Sequence, residues 1–297
     1  MVKTHSIQLK DKTGLKIFLS ILAFFVSFIV IALTLRPEQN EFVKLRIANL
    51  LTKFYIIIIA FIFTKYIDKR DSDFLGIKFE KYRSLKLLLS GCLIVSLQLF
   101  FIDTCSYYLG FVEDGIISFS AKSIFIGIIV YLVHTFFTGL SEEMLFRGYI
   151  LGNLLEKYSE FKAIIISSIV FTAIHVSSVL KLVDYIDIFL MGLILAYFYV
   201  ITKSLYLSVG LHFFSDFIQE EIFMVQNTSS NPYSLMSFNT SNNLILGNVN
   251  LGPKIEFLFV ITEIIILFFI YLYKKHQKET LTLLSTTTTL TKGDKIN

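Results

Sequence analysis

The chain has 297 residues, of which 55% are hydrophobic and 17% charged, and its mean hydropathy is +0.69. Soluble domains are usually less apolar, at roughly 45–50%, and roughly 25% of their residues are charged. The composition therefore excludes an ordinary soluble domain and favours an integral membrane protein. The net charge of +4 is small, and no Lys/Arg stripe alternates with aromatic residues, so no nucleic-acid surface is expected.

Several apolar runs approach the length of about 20 residues that a membrane-spanning helix needs. They predict helices over residues 17–35, 48–66, 85–104, 125–153, 162–181, 186–202, 204–223 and 255–273. The first run is long for a signal peptide and is not followed by a small-residue cleavage site, so it is predicted to stay uncleaved. The predicted fold class is all-α, a polytopic membrane helix bundle of about eight transmembrane helices.

The distribution of Lys and Arg predicts the orientation, because cytoplasmic loops are enriched in these residues. With both termini cytoplasmic, 20 of the 27 basic residues lie inside and 6 outside, while Lys53 falls within the second helix. We expect a multi-pass protein of the cell (plasma) membrane, in contact with membrane lipid. Its predicted parts are a cytoplasmic segment 1–16, a membrane domain 17–273 and a disordered cytoplasmic tail 274–297.

The fourth run contains ionisable residues, which cost at least about 2.5–3.5 kcal/mol each inside a membrane and usually mark function. Glu143 and Arg147 are four residues apart and share a helix face, whereas Glu142 is offset by about 100°. One carboxylate is therefore expected to pair with Arg147 while the other points elsewhere. A carboxylate outside the ion pair suits a general base. The alternative is a structural salt bridge at a helix end.

Two later runs also contain polar residues. His175 lies in the fifth run, and His212 and Asp216 are four residues apart in the seventh, where they share a helix face. A carboxylate in this position can orient an imidazole and fix its tautomer. Each motif also has a purely structural interpretation. His175 would be a hydrogen-bonded core histidine, and His212 and Asp216 would be a polar pair that bond only each other.

The predicted depths of these side chains connect the three helices. Counted from the cytoplasmic helix ends, Glu142 lies about 16 Å, His175 about 20 Å and His212 about 12 Å into the membrane. Three helices thus place polar groups in one band near the middle of the bilayer. Such convergence predicts a catalytic site.

In chain order, the motifs Glu-Glu-x-x-x-Arg, Phe-x-x-x-His and His-x-x-x-Asp resemble those of the CPBP family of intramembrane proteases. This family comprises the CAAX prenyl endopeptidases and their bacterial relatives, also called the Abi family. The resemblance covers a protease core of about residues 122–223. It implies hydrolysis of a peptide bond in a membrane-associated protein or peptide, with prenylated CAAX proteins among the substrates.

The resemblance also implies a role for each polar residue. In the family, the first Glu and the second-motif His activate water, the third-motif His and Asn stabilise the oxyanion, and the second Glu pairs with the Arg. Carried over to this chain, the catalytic residues are Glu142, His175, His212 and Asp216, and the residues that support the site are Glu143 and Arg147.

Position 216 departs from the pattern, because the eukaryotic prenyl proteases have Asn where this chain has Asp. An amide can donate a hydrogen bond to an oxyanion, and an ionised carboxylate cannot. Three roles stay open for Asp216: it orients His212, it is protonated, or it helps to hold a metal.

The family has been described both as metalloproteases and as metal-free, glutamate-dependent enzymes. A divalent metal such as zinc would be held by two histidines and two carboxylates, namely Glu142, His175, His212 and Asp216. The His-Glu-x-x-His pair that zinc proteases usually carry on one helix is absent from the sequence. The expectation is therefore Glu-activated water without an obligate metal.

Two other functions compete with a protease. One is a non-catalytic membrane partner protein involved in bacteriocin self-immunity or in the regulation of other membrane proteins. The other is a transporter with a proton or cation site, for which the sequence shows neither the broken helices nor the repeats that would support it. Neither the identity of the substrate nor the oligomeric state is predicted.

Overall fold

A computed structural model of the chain describes residues 13–35, 42–110, 121–175, 182–222 and 253–293. Within these ranges the chain is helical and contains no strand. The polar loop over 225–252 lies outside the described residues.

The described ranges contain eight main helices. They are α1 Thr13–Leu35, α2 Phe42–Ile62, α3 Lys81–Tyr108, α4 Ala121–Glu143, α5 Glu160–Ile174, α6 Leu182–Thr202, α7 Tyr206–Asp216 and α8 Pro253–Gly293. Three of them continue directly into π-helical turns, which are Phe63–Ile67 after α2, Met144–Leu151 after α4 and Phe217–Ile222 after α7. A last α-helical turn, Gly152–Leu155, ends the long α4 unit.

By length and composition, six of the described helices can cross a membrane, and α5 and α7 are shorter. The prediction of a helical membrane bundle is confirmed, with eight as an approximate count. Large apolar side chains point outwards, among them Phe18 (61% exposed), Phe100 (71%) and Phe269 (63%). Such a surface suits lipid better than water.

Two boundaries differ from the sequence analysis. The tail from Lys274, predicted to be disordered, is helical as far as Gly293, since no Pro or Gly interrupts the chain before that residue. The fifth helix ends at Ile174, and His175 is its C-cap residue. The predicted continuation over 176–181 lies outside the described residues.

The π-helical part of the α4 unit forms the centre of the bundle. Phe146, Tyr149, Ile150 and Leu151 are fully buried there, together with Arg147. They pack among residues of α5, α6 and α7 in the main apolar cluster. The residues just before this segment are thereby fixed in the middle of the molecule.

The most extensive helix contact joins α3 to α7. A Cβ atom on Gly210 would lie 2.1 Å from the carbonyl oxygen of Leu88, and one on Gly91 would lie 2.3 Å from that of Leu207. Small residues permit such close backbone approach between membrane helices. The crossing sets the position of His212, which lies two residues after Gly210.

Candidate active site

The two adjacent acids form the core of the site. Glu142 and Glu143 are the last α-helical residues of α4, and their exposed fractions are 6% and 0%. The π-helical segment begins immediately after them, and π-turns inside helices frequently mark functional sites.

Arg147 Nη1 donates to Glu143 Oε1 at 2.8 Å, which confirms the predicted ion pair. The guanidinium carbon of Arg147 lies 4.1 Å from the ring centroid of Phe171 on α5. Its Nη2 donates to the carbonyl oxygen of Gly192 on α6 at 3.3 Å. Because this cation is fully buried, the pair fixes α4 against two neighbouring helices.

The orienting partner of His212 is Glu143. The Nδ1 atom of His212 lies 2.8 Å from Glu143 Oε1, so Nδ1–H donates to a carboxylate that also accepts from Arg147. The Nε2 atom faces Asp216 Oδ2 at 3.6 Å, which is longer than a hydrogen bond. The predicted neighbours His212 and Asp216 are therefore close, but the carboxylate that sets the tautomer comes from α4.

His175 reaches the same point from the end of α5. Its Nδ1 lies 2.7 Å from the carbonyl oxygen of Phe171. Because a carbonyl only accepts, Nδ1 carries the hydrogen and the neutral ring has its lone pair at Nε2. That Nε2 atom faces Glu142 Oε2 at 3.7 Å.

Lys53 of α2 is a site residue to which the sequence analysis assigns no role. Its Nζ donates to Glu142 Oε1 at 2.7 Å, and only 9% of the residue is exposed. Glu142 lies outside the Arg147 pair, as expected, and has a different basic partner on this oxygen. An available signal was Lys53 itself, a charge well inside the apolar run 48–66, since charges inside membrane helices usually have a partner.

Glu142 Oε2 is the point on which the histidines converge. It lies 3.7 Å from His175 Nε2 and 3.9 Å from His212 Nε2. These separations exceed a direct hydrogen bond, but an oxygen atom between the groups could contact all of them. The arrangement combines a carboxylate base, a neutral imidazole and a second imidazole held between acids, which is suitable for acid–base chemistry.

The four side chains predicted as metal ligands are two histidines and two carboxylates. Among the described residues, no group of three or more His, Cys, Asp or Glu side chains meets the geometry for holding a metal ion. The ammonium of Lys53 also contacts one oxygen of Glu142.

Fold and site together define a multi-helix membrane protein with a buried acid–histidine centre. Residues 124–218 match the family described as type II CAAX prenyl endopeptidase, Rce1-like. This match spans all three motifs and confirms the resemblance to the CAAX family of intramembrane proteases. A comparison with curated proteins finds no match.

Proposed function

We propose that the protein is an intramembrane endopeptidase that hydrolyses a peptide bond in a membrane-associated protein or peptide, with CAAX-type prenylated substrates as the first class to test. The observation that carries this proposal is the asymmetry of Glu142. Its Oε1 is held by Lys53, while its Oε2 faces two histidine nitrogens. The family match supports a protease at the level of the family.

In the first step Glu142 Oε2 accepts a proton from water, and the water oxygen forms a bond to the scissile carbonyl carbon. The carbonyl π electrons move to its oxygen. His175 contributes a lone pair at Nε2, fixed by the bond from Nδ1 to Phe171. It can accept a hydrogen bond from the same water and hold it for attack.

His212 is the proposed donor to the oxyanion. Its ring lies between the carboxylates of Glu143 and Asp216, and two acids favour the cationic imidazolium with a hydrogen on Nε2. A donor fixed before the reaction stabilises developing negative charge effectively. Of the roles left open for Asp216, we propose that it assists Glu143 in orienting and charging His212, because an ionised carboxylate cannot donate.

In the second step the tetrahedral intermediate collapses and the C–N bond breaks. The proton taken up by Glu142 passes to the leaving nitrogen, which departs as an amine. The other product is the new carboxylic acid, and Glu142 returns to its carboxylate form. No step requires an oxidant, a reductant or a second substrate.

We also propose that no obligate metal takes part. Two observations support this: the sequence has no His-Glu-x-x-His pair, and the ammonium of Lys53 already binds Glu142. For the membrane, we propose both termini on the cytoplasmic side of the cell membrane, which the Lys/Arg distribution supports. The substrate would enter from that side, and the outward apolar faces would contact lipid.

The test uses the purified full-length chain in liposomes and a quenched fluorescent peptide ending in a farnesylated CAAX sequence, with the unprenylated peptide alongside. We expect Glu142→Gln to lower kcat by about 10³-fold, the middle of the range for loss of a general base. Glu156→Gln is the matched control, since this side chain is 55% exposed at the end of the same helix.

Full activity of Glu142→Gln would contradict the mechanism. Activity that survives prolonged treatment with a chelator is expected, and its loss with recovery on addition of zinc would overturn the metal-free proposal. Cleavage of only one of the two peptides would decide whether the prenyl group is required.

A further inference from the structure

We propose that Lys53 is a positioning residue of the active site, which holds Glu142 so that Oε2 faces the substrate. The inference rests on the proposed function. Lys53 lies on α2, outside the residues 124–218 that match the family. The N-terminal helices would then complete the site as well as anchor the chain.

The ion pair between Lys53 and Glu142 is short and largely buried. Lys53 Nζ lies 2.7 Å from Glu142 Oε1, and the side chains are 11% and 8% exposed. Hydrogen bonds between two charged groups are among the strongest in proteins. Among the described residues, Glu142 is the hydrogen-bond partner of this ammonium.

A carboxylate has two equivalent oxygens, and rotation about its last bond is soft. An ammonium fixed on Oε1 removes this freedom and directs Oε2 towards His175 and His212, 3.7 and 3.9 Å away. Without Lys53, either oxygen could face either direction. General-base catalysis depends on this alignment, because a misplacement of about 1 Å can cost about 10²-fold in rate.

Charge compensation gives a second reason. Glu142 adjoins Glu143 in the chain, and both carboxylates are buried. Arg147 and His212 both hydrogen-bond Glu143 at the same oxygen. The Nε2 atom of His212 stays 3.9 Å from Glu142 Oε2, so the cation in hydrogen-bond contact with Glu142 is Lys53. Lys53 supplies the missing positive charge, and burial of two adjacent acids would otherwise be costly.

The experiment measures kcat and KM for the farnesylated peptide with Lys53→Met, Lys53→Arg and Lys53→Gln in the full-length chain. We expect Lys53→Met to lower kcat by about 10²-fold with KM within about threefold of wild type, as for a misaligned base. Lys53→Arg should restore kcat to within about tenfold of wild type, because its guanidinium also binds a carboxylate.

Lys16→Met is the matched control, since Lys16 also forms a buried pair, with Asp68. It should lower the melting temperature in detergent and leave kcat unchanged. Where Lys53→Met does not fold, Lys53→Gln takes its place. Its amide keeps a donor but loses the charge that strengthens the bond, so its kcat should fall between those of Lys53→Arg and Lys53→Met.

A Lys53 variant that lowers the melting temperature like Lys16→Met, with wild-type kcat, would show a purely structural role and overturn the inference. Equal losses for Lys53→Arg and Lys53→Met would do so too. If the wild type cleaves and Glu142→Gln does not, the proposed function holds whatever the Lys53 variants show. If the wild type cleaves neither peptide, the proposed function fails and this inference with it.

Discussion

Two buried lysine–acid pairs in this molecule differ in what contacts their second carboxylate oxygen. Asp68 has both oxygens engaged, Oδ1 by Lys16 and Oδ2 by Asn153 at 3.3 Å. Glu142 has only Oε1 engaged by Lys53, and its Oε2 faces histidines without direct contact. A closed pair holds helices together, whereas an open pair leaves a base available for chemistry.

Because both pairs are buried, removal of one partner is expected to destabilise the protein strongly. Removal of one partner from a buried ion pair typically costs about 3–5 kcal/mol, because the other charge stays buried and uncompensated. Loss of stability alone therefore does not separate the two pairs. The kcat of the folded variants is the measurement that separates them.

The largest stability effect is expected at the closed pair. Asp68→Leu should destabilise the protein by about 3–5 kcal/mol, because Lys16 is left buried without its acid. The double variant Lys16→Met/Asp68→Leu should recover most of that loss, since a buried ion pair can often be replaced by apolar residues. Thermal unfolding in detergent measures both. A single variant as unstable as the double one would contradict this account of the pair.

A smaller effect is expected at the crossing of α3 and α7, which positions His212 next to the Lys53–Glu142 pair. Gly210→Ala would place Cβ 2.1 Å from the Leu88 carbonyl oxygen, so α7 must move away from α3. Overpacking of this kind typically costs about 1–3 kcal/mol, and displacement of His212 should also reduce kcat. Gly14→Ala is the control, since its added Cβ meets nothing within 4 Å. Unchanged kcat in folded Gly210→Ala would show that the crossing does not set the site.

The smallest effect is expected at Asp216. Its Oδ2 lies 3.6 Å from His212 Nε2 without a hydrogen bond, and Glu143 already orients the ring. Asp216→Asn should therefore change kcat by less than about tenfold, or about 1.4 kcal/mol in the barrier. Kinetics with the prenylated peptide measure this. A loss comparable to that of Glu142→Gln would show that Asp216 is itself the base or an essential ligand.

Local spacing predicted the parts of the site that lie within one helix. The pair Glu143–Arg147 follows from a separation of four residues, and the helix bundle follows from apolar runs. Contacts between helices were beyond this approach. Lys53 and Glu142 are 89 positions apart, and their meeting depends on how α2 packs against α4.

The prediction that Asp216 is the orienting partner of His212 shows the same limit. A separation of four residues ensures proximity, but a second acid on a neighbouring helix can make the better hydrogen bond. Gly139 permits this approach, because a Cβ there would lie 3.0 Å from the backbone nitrogen of Phe213. Helix α7 thus comes close enough to α4 for His212 to reach Glu143. That the polar groups of the three motifs meet was predictable, and which of them pair was not.

The π-helical segment Met144–Leu151 sets a condition on chain length at this point. A one-residue deletion within it would either rotate the rest of the α4 unit by about 100° or replace the π-helical turns with α-helical ones. In the first case Asn153, which now donates to Asp68, would turn away from that residue. Substitutions that keep the volume of the segment's side chains leave the π-helical turns intact, whereas a change in the number of residues does not. Alignments of related chains should therefore place gaps before Glu142 or after Leu155, and a gap inside this segment would mark a chain whose site is built differently.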